Sequence, residues 1–140
     1  MSVPRFWRRL ANIYNLVGTL CERCGSYYYP PRSLCPNCRR ESRIIPFKFS
    51  GHGEVFSFAI MHSSSKDFEK LTPYILAIIK LDEGPMMTSQ VICPIEEIRI
   101  GMKVKTVFRK LGEESEKGMI YYGTKFVPEK IKKNPGGEKQ

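Results

Sequence analysis

The residues with the clearest chemical potential are four cysteines arranged as two pairs. Each pair has the spacing C-x-x-C, and ten residues separate Cys21 and Cys24 from Cys35 and Cys38. A C-x-x-C pair chelates a metal from a tight turn, and two such pairs supply the tetrahedral four-thiolate site of structural zinc. Gly25 follows the first pair, where such a turn needs a residue that tolerates positive φ. The spacing therefore predicts one structural zinc ion whose coordination is complete, with no position open to water or substrate.

Two other interpretations of the cysteine pairs are disulfides and redox-active dithiols. The N-terminus shows no continuous apolar segment and no small-residue cleavage site, so we expect a cytoplasmic location, where disulfides are rare. A redox C-x-x-C motif opens a helix after a strand in a βαβ pattern. The sequence lacks that pattern, so zinc is favoured.

Composition limits the classes of protein. The chain has 140 residues, 41% of them hydrophobic, which suits one ordinary domain or two small ones. No run approaches the ~18 apolar residues of a membrane-spanning helix. The net charge is +9, but residues 1–45 hold eight arginines against Glu22 and Glu41, whereas residues 46–128 hold eleven basic and ten acidic residues. We therefore expect the positive charge in the first third of the chain.

An amphipathic helix is predicted over residues 2–17, with Gly18 as its stop, because apolar residues recur at steps of three and four. Packing on the chain's own core is the ordinary alternative for such a helix. A zinc ribbon, however, consists of turns and short strands and offers little apolar surface to cover it. We therefore expect residues 1–18 to dock on a partner protein. The expected partner-binding residues are Phe6, Trp7, Leu10, Ile13, Tyr14 and Val17.

The remaining sequence predicts a mainly β protein. A rubredoxin-like four-cysteine zinc ribbon is expected over residues 19–45, an OB-fold domain over 46–128 and a disordered basic tail over 129–140. A short helical turn at 94–98 separates the third and fourth strands of the barrel. The five predicted strands are a long bent strand over 44–62, interrupted at Gly51-His52-Gly53, and strands over 74–81, 86–92, 104–111 and 119–127.

Short sequence words in a fixed order give the chain a resemblance to a known family. The helix and the four-cysteine ribbon are followed by GEVFS at 53–57, PY at 73–74, KLDEGP at 80–85, IGM at 100–102, VFR at 107–109 and YYG at 121–123. The pattern runs from about residue 3 to residue 128. It resembles the acyl-CoA-associated zinc-ribbon/OB-fold family, formerly a domain of unknown function.

This resemblance implies a non-catalytic scaffold subunit. Archaeal members of the family bridge acetoacetyl-CoA thiolase and hydroxymethylglutaryl-CoA synthase in the mevalonate pathway, and acetoacetyl-CoA passes between them through a shared CoA-binding region. Bacterial members accompany thiolases, aldolases or hydratases. In that context Arg5, Arg8 and Arg9, beside the apolar helix face, are expected to contact an acidic partner surface or the phosphates of CoA.

Two other functions remain as alternatives. Catalysis by the chain alone is not favoured, because His52 and His62 lie in no nucleophile signature and Cys93 is typical of a core thiol. Nucleic-acid binding agrees with the two fold types and with the pI of 9.4. An OB-fold binding face, however, needs aromatic and basic side chains on its second and third strands, where Tyr74 is the lone aromatic residue.

Overall fold

A computed structural model describes residues 3–63, 71–113 and 120–129, and within these residues the chain forms one helix and eight strands. The helix leads into a small three-stranded sheet, and the last five strands close a barrel. The expected fold class is therefore confirmed. The elements are α1 (Val3–Asn15), β1 (Val17–Cys21), β2 (Tyr27–Tyr28), β3 (Ile44–Lys48), β4 (His52–Met61), β5 (Tyr74–Leu81), β6 (Met86–Val91), β7 (Lys103–Glu113) and β8 (Ile120–Pro128).

The helix ends at Asn15, earlier than the sequence predicts. Leu16 has a φ of 51°, a left-handed conformation that is uncommon outside glycine. Its side chain is buried in the core, and its carbonyl oxygen accepts a hydrogen bond from the Phe49 N–H at 3.1 Å. Val17 therefore begins β1, paired with Lys48 of β3. The predicted helix over 2–17 is wrong at its C-terminal end, because these long-range contacts override the apolar periodicity.

The small sheet has the strand order β2-β1-β3 and forms the body of the ribbon. β3 runs antiparallel to β1, from the pair Cys21–Ile44 to the pair Val17–Lys48. The long strand predicted over 44–62 is therefore wrong: it is two strands that belong to different sheets. The expected domain boundary between residues 45 and 46 falls inside β3.

The junction between ribbon and barrel is a short turn that requires glycine. Gly51 has a φ of 82°, and a Cβ atom at this position would overlap the Thr106 side-chain oxygen. The Gly51 carbonyl also accepts a hydrogen bond from the Thr106 N–H at 2.8 Å. The glycines that the sequence assigns to a bend within one strand thus mark the passage from one sheet to the next.

The barrel closes with the strand order β4-β5-β6-β8-β7. Neighbouring strands are antiparallel, except that β6 and β8 run parallel at the pair Val91–Phe126. A bulge between Val55 and Ser57 interrupts the register of β4, which bends the strand and helps the sheet to close. This arrangement is the expected five-stranded OB-fold barrel.

One hydrophobic core serves both the barrel and the junction. Leu16 and Phe49, which flank the ribbon sheet, belong to the same buried cluster as the barrel interior. Each large apolar side chain buried in this way contributes about 1.5–3 kcal/mol. The ribbon is therefore anchored by packing as well as by its cysteines. The largest fully buried side chains are Val55, Ile75, Ile79, Leu81, Val104 and Phe126, together with Cys21 and Cys35.

Some expectations lie outside the described residues. They include most of the loop after β4, the turn between β7 and β8, and the tail from residue 130, whose predicted disorder is not tested. The turn at 94–98 contains a hydrogen bond from the Glu97 N–H to the Pro94 carbonyl at 3.0 Å. Among the described residues, no helix combines the length and apolar character that a membrane crossing requires.

Candidate metal centre and exposed helix surface

Each cysteine pair lies in a tight turn held by backbone hydrogen bonds. In the first turn the Gly25 N–H donates to the Cys21 carbonyl at 2.8 Å, and Gly25 has a φ of 70°. In the second the Arg39 N–H donates to the Cys35 carbonyl at 2.8 Å, and Arg39 has a φ of 49°. The two turns therefore have the same geometry. Sequence reasoning identified the glycine but missed Arg39, although it occupies the equivalent position after its pair.

The fold brings all four cysteine sulfurs to one point. The four Sγ atoms lie within 4.8 Å of one another, and those of Cys24 and Cys35 are 3.5 Å apart. Cys21 and Cys35 are fully buried, whereas Cys24 is exposed. A zinc ion about 2.3 Å from each of four tetrahedral sulfurs would space them about 3.8 Å apart. The cluster therefore fits the zinc site expected of Cys21, Cys24, Cys35 and Cys38.

Hydrogen bonds and burial divide the thiols into two groups. The Tyr28 hydroxyl, 3.2 Å from Cys35 Sγ, is the main cause that lowers the pKa of Cys35 to about 6. The backbone N–H of Cys24 lowers the pKa of Cys21. Burial raises the pKa of Cys38 to about 12. Because thiolates this close together repel one another, a cation is needed to hold all four ionised. The donor set thus supports a structural zinc ion.

Two ion pairs lie beside the metal centre. The Arg23 guanidinium contacts the Glu41 carboxylate, and the Arg43 Nε atom lies 3.4 Å from a Glu22 oxygen. All four side chains are substantially exposed, so each pair contributes little to stability. Both acidic residues of the first third are therefore matched by arginines of the ribbon itself. The excess positive charge of the first third is divided equally between α1, with Arg5, Arg8 and Arg9, and the ribbon, with Arg32, Arg39 and Arg40.

The C-terminal half of α1 lies on the chain's own barrel. Thr124 Oγ1 of β8 donates a hydrogen bond to the Ile13 carbonyl at 3.1 Å. The Tyr14 ring meets Phe108 of β7 edge-on, with 4.9 Å between the ring centres. Leu10 is half-buried as well. The premise that only the ribbon could cover this helix is therefore wrong, because the barrel strands supply an additional apolar surface.

The expected partner-binding residues fall into separate groups. Trp7 is 62% exposed, although tryptophan is usually highly buried. Arg8 and Arg9 are exposed too. Val17 lies in β1 and not on the helix face. The remaining two, Arg5 and Phe6, belong to α1, but their side chains lie outside the described residues.

A further polar contact, which sequence reasoning missed, fixes the ribbon on the barrel. Glu83 follows β5, and its Oε1 atom accepts a hydrogen bond from the Ser50 N–H at 2.8 Å. The same residue lines an open cleft of about 530 Å³ between the ribbon and the β5–β6 turn. The sequence indicated only a hairpin turn at 82–85, because nothing local shows that Glu83 reaches a residue 33 positions away.

Comparisons with known proteins agree with this architecture. Two family models match: the ChsH2 rubredoxin-like zinc ribbon domain over residues 8–42 and the ChsH2 C-terminal OB-fold domain over residues 48–109. A solved structure described as an Ltp2-ChsH2(DUF35) aldolase aligns with a TM-score of 0.68 at 25% identity, covering 91% of this chain and 96% of that one.

Two relatives match nearly the whole chain. A DUF35 domain-containing scaffold protein of Methanocaldococcus jannaschii is 44% identical over 127 residues, which is 90% of each chain. A protein of the same description from Methanothermobacter thermautotrophicus is 42% identical over 125 residues, covering 89% of this chain and 94% of the relative. With such identity along nearly its full length, the chain belongs to the DUF35 family of zinc-ribbon and OB-fold proteins.

Proposed function

We propose that this protein is a non-catalytic scaffold subunit of an acyl-CoA enzyme complex in the cytoplasm. In its specific form, the proposal is that the chain bridges an acetoacetyl-CoA thiolase and a hydroxymethylglutaryl-CoA synthase. It would thereby help acetoacetyl-CoA to pass between them at the entry to the mevalonate pathway.

The observation that carries this proposal is the match to relatives described as scaffold proteins, over about nine-tenths of both chains. The structural relative is described as an aldolase that contains a DUF35 component, which supports an accessory role beside an enzyme. The exposed Trp7 agrees with a docking role, because tryptophan is enriched among the residues that dominate binding energy at protein interfaces.

The chemistry of the chain also favours a non-catalytic role. A zinc ion held by four thiolates has no free position for substrate or water. Burial raises the pKa of Cys93, and this is the opposite of what a nucleophilic cysteine needs. His52 Nδ1 lies 3.7 Å from the Glu129 carboxylate. These residues are therefore better explained by structure than by catalysis.

A bridge between these two enzymes has a thermodynamic purpose. Condensation of two acetyl-CoA molecules by a thiolase is unfavourable, whereas the synthase step that consumes acetoacetyl-CoA is exergonic. Direct transfer therefore removes the product before it accumulates. The exposed positive charge of Arg8 and Arg9 suits either acidic side chains of a partner enzyme or the phosphates of CoA, which arginine binds through paired hydrogen bonds. Arg5 is included in this proposal by its position in α1.

Nucleic-acid binding is the alternative function, and the barrel gives it little support on the usual OB-fold face. Ile75, Ala77 and Ile79 of β5 are buried, so Leu76 and Ile78 face outward. Their partners on β6 are Gln90 and Thr88. The same alternation turns Tyr74 and Lys80 outward at the two ends of β5. One aromatic and one basic side chain at opposite ends of the strand do not make the row of stacking platforms flanked by basic residues that such binding needs.

The proposal is tested by reconstituting the full-length chain with both enzymes from the same organism. After nuclease treatment, size-exclusion chromatography with light scattering should detect a ternary complex that does not form without the chain. Trp7→Ala should weaken binding of the thiolase at least ~30-fold, the effect expected of a dominant interface residue, while leaving one zinc per chain. Leu34→Ala, a change at a residue that is 52% exposed in the ribbon, is the control. Absence of any complex with the wild-type chain, or its loss after nuclease treatment, would refute the proposal.

A further inference from the structure

Aromatic side chains from three elements form one exposed surface. Trp7 and Tyr14 are seven residues apart on α1, so they lie on the same side of the helix. Tyr14 contacts Phe108, and the Phe108 ring stacks on Tyr122 with 5.4 Å between ring centres and 10° between planes. Phe108 is 52% and Tyr122 36% exposed. We call these four residues the aromatic surface.

The elements that carry the aromatic surface contain more basic residues than the other barrel strands. Together α1, β7 and β8 contain eight lysines and arginines and a single acidic residue, Glu113. The other barrel strands β4, β5 and β6 together contain one lysine and one glutamate. Not all of this charge lies at the aromatic surface. Lys103, Lys105 and Arg109 alternate to the opposite face of β7 from Phe108, and Lys125 is buried. Lys110 is the basic residue of β7 that shares the face of Phe108, which the charge count along the sequence did not reveal.

Two of these basic residues lie near the aromatic rings. Lys110 is the cross-strand partner of Tyr122, and cross-strand partners project from the same face of a sheet. Arg8 is exposed and adjacent to Trp7. The ion pairs among the described residues involve neither Arg8 nor Arg9. The surface therefore combines a central aromatic area with positive charge at its edge, and a partner must match both.

We propose that the aromatic surface is the docking site for the thiolase-type partner, and that the partner presents an apolar recess bordered by carboxylates. This inference rests on the proposed scaffold function and adds where the partner binds and what chemistry it presents. Aromatic residues and arginine are the types enriched at the centres of protein interfaces. Opposite charges at the edge guide association and fix orientation.

A protein partner explains the geometry better than a nucleic acid does. Stacking platforms for bases need open ring faces, but one face of Phe108 is already covered by Tyr122 and its ring also meets the edge of Tyr14. Ile120, which is 41% exposed, extends the same side of β8 with an aliphatic group. An apolar recess on a protein can contact ring edges, ring faces and aliphatic side chains together.

The test compares matched substitutions in the full-length chain, with binding to the purified acetoacetyl-CoA thiolase measured by biolayer interferometry. Phe108→Ser should weaken binding at least ~30-fold, as expected of a central interface residue. Phe56→Ser is its control and should change binding less than about threefold, because Phe56 is an equally exposed barrel phenylalanine (53%) at the β4 bulge. Thermal unfolding and zinc content establish that each variant is folded.

The charge contribution is tested by reversal at the edge. Arg8→Glu with Lys110→Glu should weaken binding at least ~10-fold and reduce its salt dependence, since fewer attractive charges remain to be screened. Arg40→Glu with Arg99→Glu alters net charge equally at exposed positions elsewhere and should not have this effect.

The outcomes separate the docking surface from the scaffold function. If the wild-type chain binds the thiolase and Phe108→Ser binds equally well, the surface is wrong while the scaffold function stands. If saturating free CoA removes the difference between the wild-type chain and the charge-reversed variant, the basic residues bind phosphates and the inferred carboxylates are wrong. If nuclease abolishes binding, or if the wild-type chain does not bind, both proposals fail.

Discussion

The hydrogen bond between Tyr28 and Cys35 allows the contribution of a single oxygen atom to zinc binding to be tested. Tyr28→Phe removes the hydroxyl that lies 3.2 Å from Cys35 Sγ and leaves the ring in place. When zinc is bound the sulfur is a thiolate, so the hydroxyl is the donor. We expect Tyr28→Phe to weaken zinc binding without unfolding the chain. The substitution removes the hydroxyl group that stabilises the ionised form of a metal ligand.

The expected loss follows from the number of donors to Cys35. A hydrogen bond to a charged group contributes about 1.5–3 kcal/mol, and loss of a partner that supports a metal ligand typically costs about 10–100-fold in affinity. The backbone N–H groups of Asn37 and Cys38 also lower the pKa of Cys35 and are unaffected by the substitution. The expected effect is therefore near the lower end of this range, about 10–30-fold at about pH 7.5.

The effect of Tyr28→Phe on zinc affinity should depend on pH, and the pKa of Cys35 fixes the direction of that dependence. In the wild-type chain the pKa of Cys35 is lowered from 9.0 to about 6, with Tyr28 as the main cause. Removal of the hydroxyl moves it back toward 9.0. The affinity difference should therefore widen as pH falls from about 9 toward about 6, because the variant's thiol takes up its proton first, whereas the wild-type thiol is still about half ionised at about pH 6. Above about pH 9 it should close, because both thiols are then ionised.

The assay is competition for zinc with a chromophoric chelator across this pH range. Tyr27→Phe is the matched control, because Tyr27 is the neighbouring tyrosine and its ring packs against Phe47 and Phe49. If both variants release zinc alike, or if the effect of Tyr28→Phe does not depend on pH, the assigned role of the hydroxyl is wrong.

Two further predictions concern stability. Gly18→Ala should destabilise the chain by about 1–3 kcal/mol in denaturant unfolding, because a Cβ atom there would overlap the Tyr28 carbonyl and the Phe49 ring. Gly112→Ala is the control and should be neutral, because no atom lies within 4 Å of the added Cβ. Lys125→Met should raise the unfolding free energy by about 1 kcal/mol at about pH 7, because burial, and then the charge of Arg109, lower the pKa of Lys125. The wild-type chain should gain stability as pH rises toward 10.5 and the lysine loses its charge, so the advantage of the methionine variant should shrink at about pH 10 in thermal melts. A constant advantage, or a less stable methionine variant, would contradict this explanation.

Local sequence patterns were sufficient to predict those parts of the structure that depend on residues close together in the chain. The cysteine spacing identified the metal centre, because each turn is built within five consecutive residues and closed by one backbone hydrogen bond. Alternating and continuous apolar runs located the last four barrel strands, and β5 has the predicted bounds of residues 74–81. The glycines at 51 and 53 were recognised as a break in extended structure.

Strand pairing, by contrast, could not be predicted from local patterns. Val17 fits the apolar period of the helix, but pairing with Lys48 places it in a strand. The run 44–62 looks continuous in sequence, yet β3 pairs with β1 and β4 closes the barrel. These choices depend on contacts between residues far apart in the chain. The apolar period of a short segment contains no information about such contacts.

The same distinction applies to function. A zinc-bound ribbon, an OB-fold barrel and an amphipathic helix could all be inferred from the residues, because metal spacing and apolar periodicity are local properties. The folded chain was needed to place that helix on β7 and β8, to join Tyr14 to Phe108 and Tyr122, and to place Lys110 on the same face as these rings. A surface built from elements about 100 residues apart exists only after the barrel has closed.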